Sequence, residues 1–160
     1  MFRQSVVTLA MIVICCGCRE REAPAKGDSA FAALQQRGRA AMGVDQYASA
    51  HVFEPLPDGG RIALQMKEED PTGERVIRDH MRAIATAFAA GDFAIPGRVH
   101  AVPMVPGTHV LTRLRGEISY RAHDIERGGE LRIATQNPEG VAAIHEFLAF
   151  QRMDHRAGTH

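Results

Sequence analysis

The chain has 160 residues, 45% apolar and 24% charged, and its 19 basic and 19 acidic side chains cancel to a formal charge of zero. Such a composition is globular, not disordered, and suits one small domain. The charges are scattered, with no basic face to follow a phosphate backbone, so nucleic acid is excluded as an expected partner.

Residues 1–17 read as an export leader. Arg3 gives a basic start, and the apolar run from Val6 to Ile14 is too short to span a bilayer as a helix. All three cysteines follow in Cys15-Cys16-Gly17-Cys18. A glycine before a cysteine at the end of an apolar run resembles the lipobox of bacterial lipoprotein precursors. That resemblance implies cleavage before Cys18, a diacylglyceryl group on its sulfur, acylation of its amino group with a chain such as palmitate, and a bilayer partner. Cys15 and Cys16 stand where the family has leucine and a small residue, which leaves Cys16 as the alternative lipidated residue. In that family an Asp after the cysteine favours inner-membrane retention. Arg19 therefore implies a lipid-anchored protein on the periplasmic face of the outer membrane.

Residues 18–29 combine charge with proline and glycine and carry no large apolar side chain, the composition of a solvated tether. Segment 30–46 holds a short helix through about Met42, capped by Ser29, with Phe31 and Leu34 at i and i+3.

Residues 47–92 form the first structural unit. Ala50 to Leu56 is a strand, Pro57-Asp58-Gly59-Gly60 the turn, and Arg61 to Lys67 the returning strand, in which Ile62, Leu64 and Met66 alternate with polar neighbours. Asp70 or Thr72 caps a helix with Pro71 in its first turn. Val76, Ile77, Met81, Ile84 and Phe88 give that helix an apolar stripe, and Gly91 ends it. Residues 93–116 carry three prolines and three glycines and read as a connector that is mostly loop, with a short helix or strand between Thr108 and Arg115.

Residues 117–155 repeat the pattern. Ile118 to Ala122 alternates, Arg127-Gly128-Gly129 turns, Leu131 to Thr135 alternates back, and Asn137-Pro138 opens a helix striped by Val141, Ile144, Phe147 and Leu148. Residues 156–160 form a tail. The fold expected is α+β: a duplicated ββα unit giving a four-stranded antiparallel sheet with two helices packed on one face. The runs Leu56-Pro57-Asp58-Gly59-Gly60-Arg61-Ile62 and Phe147-Leu148-Ala149-Phe150-Gln151-Arg152 resemble small exported bacterial proteins, a likeness that brings no site with it.

Eight histidines are many for this length. Neutral imidazoles with methionine thioethers suit copper, and imidazoles alone suit zinc. His80 lies at the edge of an apolar stripe, His51 shares a strand face with Phe53, and His145 is the counterpart of His80 on the second helix. His100, Met104 and His109 form a looser set on the connector. These six are the candidate metal ligands, whereas the tail histidines His155 and His160 would bind only weakly. No serine elbow, phosphate loop or dinucleotide fingerprint is present, and after cleavage no cysteine remains for thiol chemistry. The function expected is therefore a non-enzymatic, membrane-anchored module binding a small ligand or transition metal, possible cofactors being copper or zinc. The alternative is a structural module that docks an envelope protein partner and holds no metal.

Overall fold

The computed structural model describes residues 26–157, so the expectations for the leader, for Cys16 and Cys18, and for His160 lie outside the described residues. The chain runs α1 (Lys26–Met42), β1 (Ser49–Leu56), β2 (Gly59–Met66), α2 (Pro71–Ala89), α3 (Ala94–His100), α4 (Thr108–Arg113), a 3-10 turn at Arg115–Glu117, β3 (Ser119–Ile125), β4 (Gly128–Ala134) and α5 (Pro138–Asp154). The class is α+β, built on a four-stranded antiparallel sheet in the order β1-β2-β4-β3. Its two central strands come from different hairpins, and Ile62 pairs with Leu131. Gly60↔Ile133 and Leu64↔Gly129 lie equally far to either side of that pair.

Period-2 alternation sets the faces. The row Phe53, Ile62, Leu131, Ala122 lies under the helices, and the next row, Glu54, Arg61, Arg132, Arg121, faces outward. The helices cross over: α2 packs on β3 and β4, and α5 on β1 and β2. Each long helix thus covers the hairpin of the other half, and Leu64, Ile77, Leu131, Ile133, Ile144 and Leu148 seal a single core with essentially no exposure. From α5, Arg152 donates to the Phe53 carbonyl (3.2 Å) and His145 to the Leu56 carbonyl (3.0 Å), occupying backbone acceptors of the edge strand β1.

Three expectations need correction. The bends are Pro57-Asp58 and Glu126-Arg127, and both glycine pairs lie just beyond them as the opening residues of β2 and β4. The positive φ of the second bend falls on Arg127 (53°). The connector is largely helical, with α3 started by the Asp92 carboxylate accepting from the Ala94 amide (2.8 Å). Finally α1 begins at Lys26, taking in the last residues assigned to the tether.

Local chemistry fixes the ends of α2. The Asp70 side chain accepts from the amides of Thr72 and Gly73, both at 3.1 Å, Pro71 occupies the first turn, and Gly91 (φ 82°) leaves the helix. Asp70→Ala is expected to lower unfolding free energy by about 1 kcal/mol in urea titration while leaving the spectrum of the folded state unchanged.

Candidate functional site

On the helix-facing side of β1, four helices border a half-open cavity of about 60 Å³. Strand β1 contributes His51 and Phe53. Helix α2 contributes His80, Met81, Ile84 and Phe88 from its buried stripe, because positions 77, 80, 81, 84 and 88 share one face at helical spacing. Helix α3 adds Ile95, Pro96, Val99 and His100. Helix α5 adds Phe147, Gln151 and its C-cap His155, which follow one another at i, i+4 and i+8. Met42, at the end of α1, and Ile62 of β2 complete the lining.

Helix α1 lies over this region with little of its own surface in the core. Leu34 is buried, Arg37 Nε donates to the Val99 carbonyl (2.7 Å), and the Arg156 guanidinium stands 4.3 Å above the Phe31 ring while pairing with Asp28.

The rings are organised as a stack and an edge. His51 stacks on Phe53 (centroids 5.7 Å apart) and on His155 (4.7 Å), and His100 meets His155 edge-on at 5.0 Å and 88°. Burial pushes the His51 imidazole down to about 4, with His80 and His100 adding a smaller push. Burial likewise takes His80 to about 4 and His155 to about 3, the latter helped by His51 and His100 and opposed by Asp154. At neutral pH all three rings are therefore uncharged. Among the described residues, no hydrogen bond reaches the ring nitrogens of His51, His80 or His155.

His100 is held differently. Its side chain is 1% exposed, its Nδ1 bonds the Asp154 carboxylate, and its Nε2 lies 2.8 Å from Gln151 Oε1. Gln151 is itself buried, and its amide nitrogen has no hydrogen-bond partner.

Of the six metal-ligand candidates, the fold brings His51, His80 and His100 to one cavity. It leaves the others apart. Met104 is 61% exposed and lines, with His109, a wider groove of about 570 Å³ between α3 and α4. His145 is engaged by the Leu56 carbonyl. His100 belongs to a helix and is buried, where a connector loop was expected. The sequence pointed to His155 only as a weakly binding tail residue and did not point to Gln151, although their spacing from Phe147 continues the apolar stripe of α5. Among the described residues no group of three or more His, Cys, Asp or Glu side chains is arranged to hold a metal ion, and no helix is long and apolar enough to cross a membrane. Comparison with protein-family models, curated proteins and solved structures returns no match.

Proposed function

We propose that the chain is an acylated envelope protein, anchored by Cys18 on the periplasmic face of the outer membrane, whose domain binds a small ligand in the histidine cavity and performs no chemistry there. One observation carries the ligand-binding reading: the imidazoles of His51, His80, His100 and His155 come together on one half-open, mostly apolar cavity. A concave, largely apolar pocket with a few convergent polar groups is the usual form of a small-ligand site. The anchor rests on the resemblance of Gly17-Cys18 to the lipobox.

The test has two arms. Mass spectrometry of membrane fractions should find an N-terminal peptide that begins at a doubly or triply acylated Cys18. The mature chain in lipid nanodiscs, placed under xenon pressure, should shift the methyl resonances of Met81, Ile84 and Ile95 and leave those on the outer sheet face alone. Unacylated protein would remove the anchor, and unshifted methyls would remove the binding cavity.

A transition-metal reading is favoured by one further feature. The donors within reach of the cavity, imidazoles of His51, His80 and His155 and thioethers of Met42 and Met81, are neutral and soft, a set suited to Cu(I). The rings lie stacked instead of converging on a point, so a metal would have to turn them. Titration with Cu(I) and Zn(II) decides this, and stoichiometric binding no tighter than micromolar would discard it.

A further inference from the structure

We infer that the chain forms a two-fold dimer in which β3 pairs antiparallel with β3 of a second copy, centred on Ala122, so that the two sheets become one. The surface involved is the sheet edge opposite β1, and the inference depends on neither the cavity nor the anchor.

The sheet has two edges, and they differ. Along β1, Arg152 occupies the Phe53 carbonyl, Pro55 has no N–H to offer, and α5 packs against the strand. Strand β3 has no such guard. Backbone bonds from the Met66 amide to the Arg127 carbonyl (2.8 Å) and from the Thr135 amide to the Asp58 carbonyl (2.9 Å) fix which groups near the ends of β4 turn toward β2. By alternation, Gly128, Glu130, Arg132 and Ala134 turn toward β3, where they meet Ile125, His123, Arg121 and Ser119. The N–H and C=O groups of Tyr120, Ala122 and Asp124 therefore point away from the sheet. Among the described residues, no hydrogen bond reaches them. An open row of this kind is a template for another strand.

The side chains of β3 match a copy of itself. In an antiparallel pair centred on Ala122, outward-pointing backbone meets outward-pointing backbone at three positions: Ala122 meets its copy, and Tyr120 meets Asp124 on either side. On the outer face Arg121 stands opposite His123, and Ser119 opposite Ile125. No like charges are opposed. Moving the centre by one residue loses one of the three pairs and sets Arg121 or His123 against its own copy, so the strand specifies one register. Asp124, the one charge of β3 on the helix-facing side, is neutralised by Arg82 (2.7 and 2.9 Å) and does not guard the edge. Helix α2 lies over β3 and β4 alike. With strands about 4.8 Å apart, the two copies of α2 would run about 10 Å from each other, a distance at which helices pack.

The test places Arg121→Cys and His123→Cys on separate mature chains, expressed together in one membrane and then oxidised. In the inferred register these positions form a non-hydrogen-bonded pair with Cα atoms about 4.5 Å apart, within disulfide reach, whereas each lies about 8 Å from its own copy and out of reach. The mixture should give several-fold more disulfide-linked dimer than either variant alone. Sedimentation of the detergent-solubilised wild type should show a monomer–dimer equilibrium, and Ala122→Pro, which removes the N–H at the axis, should weaken it about ten-fold. That N–H has no partner inside the chain, so the proline should move the urea midpoint of the monomer by less than about 0.5 M. Mixed chains that link no more than the single variants, a dimer that Ala122→Pro leaves unchanged, or a link from either position to a different envelope protein would each overturn the inference. Where Ala122→Pro does not fold, the cross-linking decides alone.

Discussion

Acidifying the protein from pH 7.5 to pH 4 is expected to unfold it, with most of the loss between about pH 6.5 and 4. His51, His80 and His155 have folded-state values near 4, 4 and 3 against 6.5 for a free imidazole. A lowered histidine value means that the unfolded chain binds the proton more readily, so stability is complete above 6.5 and drains away as pH falls toward the folded values. One pKa unit corresponds to about 1.4 kcal/mol, which gives upper figures of roughly 3.5 kcal/mol for His51 and His80 and about 5 kcal/mol for His155. The rings are in contact and partly exposed, so the three do not simply add. Even half of their sum is comparable with the ~5–15 kcal/mol that holds a small domain folded.

Urea midpoints followed by circular dichroism at successive pH values measure this directly. His80→Leu, which removes one of the three groups from a half-buried helical position, should gain about 1–2 kcal/mol relative to wild type at pH 5 and move the acid midpoint down. A urea midpoint that stays level from pH 7 to pH 5 would refute the assignment of these rings as buried and neutral. Because the same rings line the cavity, the cavity should be lost as a unit in this range.

Those rings were only partly legible in the sequence, for a physical reason. His80 could be placed at the edge of an apolar stripe and His51 beside Phe53, because helical and strand periodicities are local properties. What brings Gln151 and His155 to them is the crossing of α5 over β1 and β2, and His100 arrives on α3 by docking against Asp154 and Gln151 of α5, tertiary choices that no local spacing announces. Helix α2 was readable to its ends, since Asp70, Pro71 and Gly91 act within a few residues of where they stand. Helix α3 was hidden by Pro96 and Gly97, which argue for loop by propensity; burial of Pro96, Val99 and His100 overrides them. The glycine pairs read as turn residues in the sequence, whereas the close approach of β2 to β4 requires the first of each pair and the helix above requires the second.

Replacing Gly128 with Ala is accordingly expected to be among the most damaging single substitutions in the domain. A Cβ there would lie 2.0 Å from the Leu64 carbonyl oxygen and 2.9 Å from Gln65 Cα, both backbone atoms of β2. Backbone cannot rotate aside as a flexible side chain can, so the two central strands would have to part. At the matching position of the other hairpin, a Cβ on Gly59 would meet the Ile133 carbonyl oxygen at 2.2 Å, with the added strain of φ 144°. Each first glycine therefore admits the backbone of the opposite hairpin, and each second one seats a helix, Gly60 under Leu148 and Gly129 under Met81. Gly128→Ala and Gly59→Ala should each cost more than about 4 kcal/mol in urea unfolding, enough to leave much of the protein unfolded at 37 °C. Gly116→Ala, where nothing stands within 4 Å of the new methyl, should stay within about 0.5 kcal/mol of wild type. The β2–β4 seam is also what sets α5 above β1, and with it Gln151 and His155 beside His51. Any Gly128→Ala protein that does fold should give a perturbed Gln151 side-chain amide signal, and one that folded with less than 1 kcal/mol lost would show that the strands have room the structure denies them.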